Sequence, residues 1–277
     1  MSIPDKIFNN EKPIIGMVHL LPLPGSPLFD FDGGMTKIID RAFEETRILI
    51  EGGVDGIQFE NQWDRPFEKG TDIKPETTAA MSLTIGMLKR EFSFPMGVNV
   101  HLNGSIQAMA IAIVTGCQWI RVFELANAYI SNAGFLEAAG PELLRYRMHH
   151  RMEKKIKIFG DFHVKHGSHQ IVSDRSIMDL AHDVQISLAD GLIITGVETG
   201  KAPSADEIKE IKSKIDIPLF IGSGLSLKNL PTLLPLVDGA IVGTAFKHEG
   251  NLFNKIDKNL VSEFMSGVNR IRNELKV

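Results

Sequence analysis

The sequence predicts an α/β protein built as one (β/α)8 TIM barrel, an eight-stranded parallel barrel with helices outside. Three observations carry that expectation. Eight short β-rich runs alternate with eight helical patterns, no shift in composition divides the chain, and its 277 residues sit near the roughly 250 typical of such a barrel. Strand-then-helix repetition is what a parallel sheet covered by helices requires. The expected domain spans residues 1–277, with residues 1–13 as an N-terminal extension.

The elements follow in order. Residues 14–20 (IIGMVHL) read as the first strand, and the helical pattern from Thr36 to Ile50 is stopped by Gly52-Gly53. VDGIQFE (54–60) is the second strand, followed by a long loop from Asn61 to Lys74 and a helix from Pro75 to Phe92. Pro95 bars helix ahead of the third strand, MGVNVHLN (96–103), whose helix runs from Ser105 to Val114. WIRVFE (119–124) leads into a second long loop, Leu125 to Gly140, and a helix from Pro141 to Glu153. KIFGDFHV (157–164) and DGLIIT (190–195) precede helices at Asp174 to Leu188 and Ser204 to Lys214. PLFIG (218–222) precedes Ser226 to Leu234, and DGAIVG (238–243) precedes Leu260 to Leu275. Both long loops leave the C-terminal ends of strands, where barrels build their sites, so each is expected to be either a lid over a substrate or a poorly ordered insertion.

Composition narrows the function classes. The net charge of −4, with no block of basic residues, excludes a polyanion groove and an electrostatic membrane anchor, so neither nucleic acid nor membrane is an expected partner. Cys117 is the only cysteine, which excludes a disulfide framework and a multi-cysteine zinc site. Its apolar setting reads as a buried structural thiol. The longest apolar stretch, Ala108 to Val114, falls far short of the roughly 20 residues that span a bilayer. No signal peptide is evident, so a cytoplasmic protein is expected, one that leaves room for a homo-oligomer. Met81, Met87 and Met109 read as core packing, and Arg145, Tyr146, Arg147, His149 and His150 as a solvated helix face.

Polar residues gather on one parity of the strands. In the third strand Val98, Val100 and Leu102 alternate with Asn99, His101 and Asn103; in the fifth, Ile158, Gly160, Phe162 and Val164 alternate with Asp161, His163 and Lys165. The apolar sets should face the helices, leaving the polar sets inside. His19, Gln58, Glu60, Arg121 and Thr195 join them near other strand ends. So many polar groups at one mouth point to a polar-ligand site.

Glycine turns point to phosphate. Gly222-Ser223-Gly224, followed by a short helix expected from Ser226, and Gly243-Thr244 end the seventh and eighth strands, where phosphate-binding barrels place that group. Thr195-Gly196 adds a further turn, and Thr199-Gly200-Lys201 a further donor. The expected phosphate ligands are thus Gly196, Gly222, Ser223, Gly224, Gly243 and Thr244. Asp161, Glu60, His163 and His19 are the candidate acids and bases, while Asn99, His101, Arg121, Lys165 and Thr195 would bind substrate. Lys165 reads as a solvated or phosphate-pairing lysine in preference to a Schiff base. No cofactor is expected. The one metal set on offer, a divalent ion on His19, Glu60, Asp161 and His163, lacks a His-x-His pair on the first strand and an Asp ending the eighth.

The segment Gly16-Met17-Val18-His19-Leu20, continuing to Pro22-Leu23-Pro24-Gly25-Ser26-Pro27, closely resembles the opening signature of the BtpA family, which includes SgcQ-like proteins. Glu60-Asn61 with Pro66-Phe67, Gly97 to Val100, Ile120-Arg121-Val122, Leu144 to Arg147, Val164-Lys165-His166, Thr195-Gly196 with Thr199-Gly200, and Asp238 to Thr244 with Lys247 extend the likeness over nearly the whole chain. The resemblance implies a TIM barrel related to phosphate-binding enzymes. It also implies two functions: an enzyme acting on a phosphorylated sugar or nucleoside-like molecule, for which the candidate acids and bases fit isomerase, lyase or hydrolase chemistry, or a non-catalytic assembly factor linked to photosystem I biogenesis. The first is the expectation here, because nothing in the chain specifies a membrane surface. The sequence departs from the family pattern at Leu102-Asn103-Gly104, Phe123-Glu124 and His163, which implies its own substrate specificity.

Overall fold

A computed structural model describes residues 7–196 and 202–276. The expected turn at Thr199-Gly200-Lys201 lies outside the described residues.

The alternation resolves into β1 (Ile14–His19), α1 (Gly34–Glu51), β2 (Gly56–Glu60), α2 (Pro75–Glu91), β3 (Met96–Asn99), α3 (Ser105–Thr115) and β4 (Trp119–Val122). A hairpin, β5 (Ala128–Ser131) and β6 (Gly134–Glu137), comes next, then α4 (Gly140–His149), β7 (Lys157–Asp161), α5 (Ile177–Ile186) and β8 (Gly191–Ile194). The chain ends with α6 (Ala205–Lys212), β9 (Leu219–Ile221), α7 (Leu230–Leu233), β10 (Gly239–Val242) and α8 (Lys258–Glu274). Eight strands close a barrel in the order β1-β10-β9-β8-β7-β4-β3-β2, and their pairings are parallel. The antiparallel hairpin stands apart from the barrel, inside the second long loop.

Two packed layers hold the barrel. Inside, Ile15, Met17, Trp119, Phe159, Ile193, Phe220 and Ile241 fill the lumen, and Phe8 from the N-terminal extension closes its lower end against Trp119 at 5.3 Å between ring centroids. The indole lies so close to β3 that a Cβ built at Gly97 would sit 2.1 Å from it, so only glycine fits there. Outside, the opposite parity, including Val18, Ile57, Val98 and Ile120, packs beneath the helices. α5 and α6 start on capping boxes at Ser176 and Ser204.

The structure departs from the sequence reading in several places. Strands stop earlier at the mouth: β3 ends at Asn99 and β7 at Asp161, after which Asn103 (φ 55°) and His163 (φ 56°) turn the chain in the left-handed region. Alternation therefore lapses beyond those ends, and Leu102, expected against the helices, lines the mouth instead. The helix expected from Ser226 begins only at Leu230, because the Asn229 side chain accepts from Ser226 N (2.8 Å) and donates to Gly224 O (2.9 Å), making a turn there. Arg147 is buried and paired with Asp190 at the lower rim, not solvated, and Met87 is an exposed methionine on α2. Cys117 is buried, and desolvation pushes its thiol up to about 11.

Candidate functional site

Strand register aligns the first functional side chains. His19 pairs with Glu60 across β1 and β2, and Glu60 pairs with Asn99 across β2 and β3, so the three stand in a row at the barrel mouth. Above them opens a cavity of about 600 Å³, a size suited to a small-molecule ligand. The post-β2 loop contributes Gln62, Arg65 and Phe67 to its wall, the hairpin contributes Tyr129, Ser131 and Asn132, and a third long loop after β7 contributes Val164, Lys165 and His166.

Glu60 is the centre of the first wall. Its Oε1 lies 2.7 Å from His101 Nε2, and its Oε2 accepts from Asn99 Nδ2 at 3.0 Å. In the amide orientation that satisfies both its ends, Gln62 donates to Glu60 Oε1 (2.9 Å) and accepts from Arg65 Nη2 (2.9 Å). Burial opposes ionisation here, but His101 and then Arg121 outweigh it and hold the carboxyl well below the usual carboxylate range. The His101 ring is stacked on Phe67 at 4.5 Å and meets Phe123 edge-on at 4.7 Å, with Nδ1 buried and unpartnered among the described residues.

Arg121 and Asp161 form a buried, two-pronged pair, Nε and Nη2 each donating at 2.7 Å. Against the desolvation of burial, Asp161 keeps the guanidinium firmly protonated. Arg121 lines the cavity and Asp161 stands behind it. Lys165 also lines the cavity, its ammonium pKa lowered by burial and by Arg121.

His19 lines the boundary with the second wall. Burial, then the neighbouring Lys247, lowers it to about 3, so it is a neutral imidazole. Lys247 Nζ is 3.4 Å from His19 Nδ1 and donates to Leu252 O at 2.8 Å; desolvation lowers its own pKa to about 8. Beyond it come Thr195, Gly222, Ser223, Gly224, Gly243 and Thr244, at the ends of β8, β9 and β10. A Cβ at Gly222 would lie 2.4 Å from Ile193 Cγ2 and 3.1 Å from Arg121 Nη2, and Gly224 has φ 81°, so both positions require glycine. Thr195 Oγ1 and Ser223 Oγ are buried without hydrogen-bond partners, and no described residue accepts from the N–H of Ser223, Gly224 or Thr244.

The expected residues thus divide. Eleven residues line one cavity: His19, Glu60, His101, Arg121, Lys165 and Thr195 with Gly222, Ser223, Gly224, Gly243 and Thr244. Asn99 and Asp161 lie buried behind it, holding Glu60 and Arg121. Gly196 is buried beside Thr195 but does not line it. His163 is a correction: the turn at its positive φ carries it out of the mouth, and it stacks on His169 at 4.3 Å over a separate, minor cleft. With Asp161 bound to Arg121 and His163 elsewhere, the set suggested for a divalent ion does not assemble, and no group of three His, Cys, Asp or Glu residues among the described residues is placed to hold a metal. Sequence reasoning gave no site role to Gln62, Arg65, Phe123, Tyr129 or Lys247; the signals on offer were Lys247 and the neighbouring Pro66-Phe67 as parts of BtpA-family motifs and Phe123 as a departure from them.

No helix among the described residues is long and apolar enough to cross a membrane. Among solved structures, the chain is similar to thiamine phosphate pyrophosphorylase from Pyrococcus furiosus, at 13% identity and TM-score 0.58, covering 94% of this chain and 96% of that one. It is also similar to Mycobacterium tuberculosis tryptophan synthase, at 16% identity and TM-score 0.58, covering 96% and 98%. At such identities the likeness concerns the barrel fold alone. An uncharacterized protein of Methanocaldococcus jannaschii is 36% identical over 262 residues, covering 95% of this chain and 97% of its own. The photosystem I biogenesis protein BtpA of Synechocystis is 35% identical over 262 residues, covering 94% and 89%. The model of the BtpA family matches residues 10–270, so with relatives of this identity along nearly its whole length, the chain belongs to the BtpA family.

Proposed function

We propose that the protein is an enzyme acting on a phosphorylated sugar or nucleoside-like small molecule by acid/base chemistry. The observation that carries this reading is the second wall: two buried hydroxyls, Thr195 and Ser223, and three backbone N–H groups without described partners gather where β8, β9 and β10 end. Each unsatisfied buried polar group costs on the order of 1–3 kcal/mol, a cost that a bound anion offering several acceptor oxygens would offset. In this reading the loops after β9 and β10 hold phosphate. His101, oriented by Glu60, handles protons, neutral His19 donates a hydrogen bond, and Arg121 and Lys165 balance charge on the substrate. Asp161 and Asn99 position Arg121 and Glu60. The reading needs neither metal nor cofactor and places the protein in the cytoplasm.

A thermal-shift screen of phosphorylated sugars and nucleotides tests it. A stabilising compound is expected, and Gly224→Asp, which puts a carboxylate where the phosphate would sit, is expected to abolish the shift. If no phosphorylated compound stabilises the protein, or if the variant keeps the shift, the reading fails. The name of the Synechocystis relative, a photosystem I biogenesis protein, favours a second reading, a non-catalytic assembly factor. It predicts that cavity substitutions leave function intact while an outer patch abolishes it.

A further inference from the structure

We infer that the ligand is bipartite, with a phosphate monoester at one end and a flat heterocyclic ring at the other, as in a nucleoside monophosphate; this rests on the phosphate reading above. The barrel order supplies the geometry. In the closed ring, β2, β3 and β4 lie four strands round from β8, β9 and β10 respectively, so the wall they carry stands directly across the mouth from the unpartnered hydroxyls and amides.

That opposite wall is apolar. Leu102, Phe123 and Tyr129, with Phe67 packed against them and Val164 joining from the loop after β7, form a cluster separate from both layers of barrel core, and all five line the cavity. These residues are largely buried, and the small C–H face of a sugar phosphate would cover only part of the apolar edge they turn to the cavity. A planar ring covers it. Besides the Tyr129 hydroxyl, one polar atom interrupts the wall: His101 Nδ1, buried and unpartnered between the rings of Phe67 and Phe123. It can exchange one hydrogen bond with a ring edge, which selects a heterocycle over a hydrocarbon. The Arg65 guanidinium, 5.9 Å from the Phe67 ring centroid, adds a cationic plane at the rim.

Calorimetric titration with ribose 5-phosphate, adenosine 5′-monophosphate and uridine 5′-monophosphate separates the two ends. At least one nucleotide is expected to bind about tenfold or more tightly than ribose 5-phosphate, the scale of one stacked base. Phe67→Ala combined with Val164→Asn, with its fold checked by melting, is expected to bring that ratio toward one. Gly224→Asp should weaken both kinds of ligand. A wild-type ratio near one, or a ratio that survives in the folded wall variant, overturns the ring assignment while the phosphate reading stands. Absence of binding by every phosphorylated compound overturns both.

Discussion

Replacing Asp161 by Asn separates a positioning role from a proton-transfer role. The carboxylate takes two hydrogen bonds of 2.7 Å from Arg121, and both side chains are almost wholly buried, at 6% and 0% exposure. Removing one partner of a buried ion pair costs about 3–5 kcal/mol, because the remaining charge is left uncompensated in a poorly solvating site. Asn keeps one acceptor and the shape, so the low end, about 3 kcal/mol, applies. For a chain of 277 residues, an unfolding entropy of roughly 2.1 cal/mol/K per residue converts this to a Tm lowered by about 5 °C. Scanning calorimetry and urea unfolding measure it. The double variant Arg121→Met/Asp161→Leu should recover most of the loss, since two apolar groups leave no stranded charge. A Tm within about 1 °C of wild type for Asp161→Asn, or a double variant no better than the sum of its singles, would refute the assignment of Asp161 as the anchor of Arg121.

Other perturbations follow from the same cavity. His19 stays neutral down to about 3 when folded but takes a proton near 6.5 when unfolded, so stability is lost as pH falls through that window. His19→Asn should flatten the acid limb, and superimposable limbs would sink the argument. Burial, then Asp161, pushes the Glu124 carboxyl up to about 9 from an ordinary 4.5. The folded chain then holds a proton that the unfolded chain has released, stability falls as pH rises between those values, and Glu124→Gln should stabilise more at pH 8 than at pH 5 in paired melts. An equal effect at both would show that this carboxyl is ionised in the fold. Gly222→Ala places a methyl 2.9 Å from Thr195 Cγ2 as well as against Ile193. A cost of about 1–3 kcal/mol is expected, together with loss of any stabilisation by inorganic phosphate, and a variant that melts and binds like wild type would show that β8 and β9 can part there.

How far the site could be read from the sequence depends on the periodicity each residue obeyed. Within the strands, a period of two separates barrel interior from helix face, which is why Glu60, Asn99, Arg121 and Asp161 could be placed inward together. Alternation carries no mark of where a strand stops, so the inward parity was carried on to His163, two residues past the end of β7. Pairing was equally hidden. Arg121 and Asp161 meet only because β4 and β7 are neighbours in a register that sets Val122 beside Gly160, a fact of tertiary structure. The hairpin went unread because its strands, Ala128–Ser131 and Gly134–Glu137, are four residues each and carry no sustained apolar pattern. Lys247 lies beyond the last strand and is buried by the loop that returns to α8, where no strand or helix period applies.

These placements change how the proposed chemistry is distributed. Once Asp161 is tied to Arg121, Glu60 is the remaining carboxylate that lines the cavity, and it already accepts from Asn99 and lies against His101. A carboxylate held low and committed to Asn99, Gln62 and His101 is a poor base, but it orients an imidazole well, as the acid of a hydrolytic triad does. The ring it orients lines the cavity and has its Nδ1 buried and unpartnered, so in the proposed chemistry His101 is the group that would exchange a proton with substrate, and Glu60 the group that sets its angle. His19 complements it from the far side of Glu60: an imidazole that stays neutral cannot deliver a proton at ordinary pH, yet it can donate a hydrogen bond to developing negative charge. One histidine for proton transfer, held by a carboxylate, and one for charge stabilisation, with a lysine beside it, is a distribution that strand parity alone could not have assigned.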